Sequence, residues 1–144
     1  MPEPAVALDR GLIDTSVVIG LDRVIPDTLA AELAIASITL AELAAGPHAT
    51  DDRVERGRRQ ERLQLAEATF DPIPFDAACA RAYGRIYAQT LVGGRKARGR
   101  RAVDLLIAAT ALAVDLPLYT ANPADFSGLE TLINVIPVRI SPAT

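Results

Sequence analysis

The chain is poor in the residues that carry much of protein chemistry. Its 144 residues hold one cysteine, one histidine and no tryptophan. A single cysteine, Cys79, excludes an intrachain disulfide and a thiolate zinc site, and it suits a cytoplasmic address. Set between alanines on a predicted helix, it reads as a small buried hydrophobe. One histidine, His48 in the turn Gly46-Pro47-His48, excludes acid–base chemistry that needs two imidazoles. With three Tyr and three Phe, base stacking cannot be the main source of any nucleic-acid affinity. No apolar run reaches the roughly 18–20 residues of a membrane span. Excess positive charge is also missing: the net charge is −3, so an affinity for polyanions has to come from a local patch. Neither GxGxxG nor GxxxxGK[ST] occurs, which removes the common nucleotide-binding loops. Residues 1–10, MPEPAVALDR, lack a signal peptide's basic start and apolar centre and read as a loose lead-in to a single domain over residues 1–144.

What the chain does have is organised around Gly11–Gly20, GLIDTSVVIG. Leu12 and Ile13 read as a short buried strand with Asp14 at its carboxyl end, running straight into a helix capped by Thr15 or Ser16. Ligands of open α/β sheets bind beyond the carboxyl ends of the strands. A helix is expected from Asp27 to Leu33, then a brief strand over residues 35–38. Thr39 and Glu42 have the spacing of a capping box, opening a helix that ends at Gly46-Pro47. Residues 50–68 form a strongly charged, solvent-facing helix, with Asp52/Arg56 and Glu55/Arg59 at i,i+4 and an interruption at Gly57. Phe70–Phe75 is Pro-punctuated and reads as a short edge strand or an extended connector. Asp76 caps the next helix, to about Leu91, on which Tyr83 and Tyr87 share a face. A basic glycine-rich loop, residues 93–101, precedes a buried helix Val103–Val114 with Asp104 in its first turn. Leu118–Thr120 and Asn134–Val138 are the last strands, separated by a helical turn at Asn122-Pro123-Ala124-Asp125. Alternating strands and helices predict a parallel sheet of about five short strands covered by helices.

Asp14, Glu42, Asp104 and Asp125 each fall at a strand end or in a helix's first turn. Singly, Glu42 is explained as a capping partner and Asp125 as a first-turn acid. Asp104 is harder to explain, because no further charge follows before Asp115 and an unpaired carboxylate is costly to bury. Gathered in one crevice, the four would repel one another and raise each other's pKa values. A hard divalent cation removes that conflict, and it can activate water against a phosphodiester. The neighbouring loop, with Arg95, Lys96, Arg98, Arg100 and Arg101, is suited to holding a phosphate backbone.

The ordered set LIDTSVV, ITLAEL, AVDLLIAATAL and LYTANPADFSGL, running from about Leu12 to Val138, resembles a PIN domain, with most similarity to the VapC-type toxins of bacterial toxin–antitoxin pairs. The resemblance implies an α/β/α sandwich and a Mg²⁺- or Mn²⁺-dependent endoribonuclease acting on structured RNA such as tRNA or rRNA. It also implies silencing by a cognate VapB-type antitoxin and a homodimer, with both contacts around the helices of residues 27–68. Asp14 and Asp104 become the principal metal ligands, with Glu42 and Asp125 completing the catalytic cluster directly or through water. Thr15 or Ser16, Thr120 and Asn122 become groups that orient the metal's ligands or the substrate. Many relatives place an acid where this chain has Asn122, with Asp125 three residues on, so either could be the group nearest the metal. The alternative is an inert PIN-like module that binds RNA or protein without cutting. An aspartyl phosphatase is disfavoured, because Ser16 stands where that chemistry in its common form wants a second acid.

Overall fold

A computed structural model describes residues 10–25, 28–94 and 99–142. The sheet is entirely parallel and has four strands: β1 (Arg10–Ile13), β2 (Glu32–Ala34), β3 (Leu118–Thr120) and β4 (Val135–Pro137), in the order β2-β1-β3-β4. Among the described residues, five α-helices accompany them: α1 (Thr15–Ile19), α2 (Ser37–Ala45), α3 (Arg53–Thr69), α4 (Ala77–Val92) and α5 (Arg100–Val114). The predicted fifth strand at Phe70–Phe75 shrinks to one bridge, Ile73 against Ala36. Pro72 and Pro74 flank that residue and offer no N–H to extend a ladder.

Strand alternation builds the sandwich. Leu12, Ala34 and Leu118 point to one side, onto Ala82 and Ile86 of α4 and Leu105, Ile107 and Ala108 of α5. Their neighbours Ile13, Ile35 and Tyr119 point to the other, onto Val17, Val18, Leu43 and Ala66 from α1, α2 and α3. Two apolar faces on one short sheet thus demand helices on both sides.

Several local expectations give way to tertiary pairing. No helix spans residues 28–33, because Glu32–Ala34 pairs with β1 in the register Arg10↔Glu32, Gly11↔Leu33, Leu12↔Ala34. Asp27 lies outside the described residues, as do residues 1–9 of the lead-in, while Arg10 belongs to β1. The segment 37–45 is helix from Ser37 onward, so residues 35–38 do not form a strand. Gly57 does not interrupt α3, which runs unbroken behind its Asp52 cap. Of the two i,i+4 pairs on that helix, Glu55–Arg59 forms at 3.4 Å. Arg56 instead donates to the carbonyls of Pro47 and Thr50.

Gly11 is required by close packing. A Cβ there would lie 2.2 Å from Cε1 of Tyr119, whose ring is almost fully buried and has nowhere to swing. Gly11→Ala is expected to cost about 1–3 kcal/mol through overpacking. The measurement is the urea midpoint, which should fall with an unchanged m-value; an unaltered midpoint would mean that the ring yields.

Candidate active site

The strand order places a crevice beside Asp14. The chain leaves β1 for β2 on one side and later returns as β3 on the other, so the β1 and β3 carboxyl ends flank the point where the order reverses. Asp14 follows β1 immediately, its N–H donating to the Tyr119 carbonyl at 3.0 Å. It is the N-cap of α1: Oδ1 accepts from the Ser16 hydroxyl at 2.6 Å and from the Val17 N–H at 3.2 Å. Neither Thr15 nor Ser16 is the cap. Thr120, fully buried at the end of β3, adds a hydroxyl to the same carboxylate. Ser16 Oγ in turn accepts from the Ala121 N–H at 3.1 Å, and Thr120 Oγ1 from the Asn122 N–H at 2.9 Å. Burial still pushes the Asp14 carboxyl above its ordinary pKa, outweighing these donors.

Glu42 is not a capping partner. Helix α2 starts at Ser37 behind Ala36 without a side-chain cap, which moves Thr39 and Glu42 into the helix body. They share one face there and turn it to α1. The Thr15 hydroxyl donates to Glu42 Oε1, and the Thr39 hydroxyl lies 3.2 Å from that of Thr15. Thr15 has one hydroxyl hydrogen; with that given to Glu42, Thr39 is left to donate to Thr15. Thr39, fully buried, is the site residue that sequence reading missed, having been taken for a cap. Its i,i+3 relation to Glu42 was the available signal.

Asp104 is likewise no first-turn acid. Helix α5 begins at Arg100, three residues before its predicted start, so Asp104 stands in the second turn, where its own N–H is inside the helix. Capping no longer explains it. Its carboxyl is pushed up to about 6, first by burial and then by the charges of Asp125, Glu42 and Asp14 in that order, with Arg100 pulling the other way. The four acids therefore converge on one place. Asp125 sits in a 3₁₀ turn, Pro123–Phe126, and its carbonyl accepts from Arg101 at 3.0 Å, fastening that turn to the start of α5. Asn122 is exposed and its side chain caps nothing.

Arg100 and Arg101 are thus helical rather than loop residues, one beside Asp104 and one bound to the Asp125 turn. Arg95, Lys96 and Arg98 lie outside the described residues. His48 is exposed and Cys79 buried; neither joins the acids.

Among the described residues, no three Asp, Glu, His or Cys side chains close into a ready-made metal cluster. A magnesium ion does not need one, since it takes one or two carboxylates and keeps several waters. The donor set fits such an ion: every candidate ligand is an oxygen, and Asp104 is held up by burial and by the charges of Asp125, Glu42 and Asp14, with Arg100 opposing.

The family model of the PIN domain matches residues 11–129, and the chain belongs to that family. A relative named Ribonuclease VapC, from Rickettsia bellii (strain RML369-C), is 31% identical over 133 residues, covering 89% of this chain and 97% of that one; this places the chain in the VapC branch. The solved structure of VapBC-5, a member of the VapBC family of toxin–antitoxin systems from Mycobacterium tuberculosis, superposes with a TM-score of 0.78 at 31% identity, over 92% of this chain and 99% of that one. FitAcB from Neisseria gonorrhoeae superposes with a TM-score of 0.65 at 25% identity, over 87% and 95% of the two chains. No helix among the described residues is long and apolar enough to cross a membrane.

Proposed function

We propose that this chain is a Mg²⁺- or Mn²⁺-dependent endoribonuclease, the toxin of a VapBC-type pair, acting in the cytoplasm on structured RNA such as tRNA or rRNA. A cognate VapB-type antitoxin would hold it silent, and the working unit would be a homodimer. The observation that carries the reading is the gathering of Asp14, Glu42, Asp104 and Asp125, brought from four separate elements to one crevice. Support also comes from the ribonuclease name of its relative and from the VapBC assembly of its structural neighbour.

Asp14 and Asp104 would hold the ion, with Glu42 and Asp125 reaching it directly or through water. A bound divalent cation supplies the charge that lets these acids share the crevice, and polarises water for attack on a phosphodiester. The chain's own contribution is orientation. Ser16, Thr120 and the Val17 N–H fix the Asp14 carboxylate, while the Thr39–Thr15 pair fixes Glu42. Asn122, which is exposed, would orient substrate. The basic segment Arg95, Lys96, Arg98, Arg100 and Arg101 would bind RNA phosphates, beginning with Arg100 beside Asp104.

The rival reading is a PIN-like module that binds without cutting; the full set of acids favours the enzyme. Magnesium titration with an RNA substrate separates the two. The wild-type chain should cut RNA only with the ion, and Asp14→Asn should lower both cleavage, by at least about a hundredfold, and Mg²⁺ affinity. Metal-independent RNA binding with no product at any Mg²⁺ concentration would establish the inert module.

A further inference from the structure

Next to the acids lies a second feature, a cleft of about 420 Å³, within the size range of small-ligand sites. Thr15, Glu42 and Arg100 line it, together with Glu55, Arg59 and Arg62 of α3. The two α3 arginines are not equivalent. Arg59 donates to the Gly46 carbonyl at 3.0 Å and pairs with Glu55 at 3.4 Å, so its charge is already engaged in fastening α3 to the end of α2. Arg62 has no hydrogen-bond or ion-pair partner among the described residues, although it is half-buried. Arg62 also borders a neighbouring groove lined by Val18, Leu65 and Phe70, apolar walls of the kind that pack against an arginine's methylenes. Asp22 and Glu61 border that groove too and form no ion pair with Arg62. The cleft thus offers an uncommitted, half-buried arginine on α3, beside Glu42 and in the same cleft as Arg100 of α5.

We infer that Arg62 binds a backbone phosphate of the RNA strand flanking the scissile bond, so that the strand crosses the acids between Arg62 on α3 and Arg100 on α5. The inference rests on the ribonuclease reading. A guanidinium matches the geometry of a phosphate with two parallel N–H donors, and such contacts position a strand without reading its sequence. Little has to be rearranged for binding, because the head has no internal partner to give up.

The test uses a fluorescently labelled single-stranded RNA and its anisotropy, in an Asp104→Asn background so that nothing is cut. Arg62→Gln should weaken binding about fivefold to tenfold, and reduce the slope of log K against log salt by about 0.7, the value for one phosphate contact on a single strand. Arg62→Lys should recover most of the slope but only part of the affinity. Arg58→Gln removes an exposed charge of the same helix that borders only the neighbouring groove, and should leave both readings near the parent. With Asp104 restored, Arg62→Gln should raise KM and spare most of kcat, at an unchanged melting temperature. If Arg62→Gln behaves like Arg58→Gln while the wild-type chain cleaves RNA, the inference fails and the ribonuclease reading stands. If the wild-type chain neither binds nor cuts RNA, both fail.

Discussion

Replacing Asp104 by Asn is expected to reduce RNA cleavage by at least about a thousandfold, while making the metal-free protein more stable. The two effects come from one cause. At neutral pH the Asp104 carboxylate is half-buried and faces the charges of Asp125, Glu42 and Asp14, with Arg100 in opposition. An amide of the same shape removes that repulsion and a ligand oxygen together. Allowing for solvent screening of a half-exposed group, the gain is about 1–2 kcal/mol, or a few degrees in melting temperature. Buried residues that serve only the fold lose stability when altered; this one should lose function and gain stability. Thermal unfolding in EDTA, beside an RNA cleavage assay, reads both. A marked fall in melting temperature would place Asp104 among the structural residues instead.

Chelation is the second large effect. EDTA should stop cleavage outright, and returning Mg²⁺ should restore it along with a rise in melting temperature that depends on pH. The sign follows from the raised carboxyl of Asp104. A group whose pKa is higher in the folded than in the unfolded state favours folding when protonated, and that contribution is lost as the pH rises through the folded value, here about 6. Metal-free protein should therefore gain stability from this group as the pH is lowered from about 7.5 towards 5. Burial displaces Asp14 in the same direction. Magnesium, which needs the ionised acids, should stabilise strongly near pH 7.5, by about 2.7 kcal/mol at a hundred times its dissociation constant, and markedly less near pH 5. A Mg²⁺ shift of equal size at both pH values would mean that the ion sits on other groups.

Much of the site was readable because its most informative residue lies in a short, unambiguous stretch. Leu12-Ile13-Asp14 can be little other than a buried strand ending on an acid, and the structure places Asp14 there. The helix starts were misjudged, and each error hid part of the site's logic. Thr39 and Glu42 match a capping box in spacing, but the cap falls three residues earlier, at Ala36, and the Ser37 N–H that follows it bonds the Ile73 carbonyl at 2.8 Å. Asp104 resembled a first-turn acid because Arg100 and Arg101 read as loop; Gly99, with a positive φ of 54°, supplies the break that lets α5 start at Arg100. Arg62 was indistinguishable from the other charges of α3, because amphipathic patterning separates apolar from polar faces and does not rank one arginine above another.

The amino-acid order alone determined the layered α/β architecture, the parallel strands and the identity of the acids, since these follow from apolar periodicity and from the types of side chain placed where elements begin and end. Only the tertiary structure decided that Asp125, Glu42 and Asp14 all act on the charge of Asp104, that Thr39 steadies Glu42 through Thr15, and that Arg62 stands uncommitted while Arg59 does not. Those facts depend on strand order and on distances between residues remote in the chain. Local patterning carries no record of either.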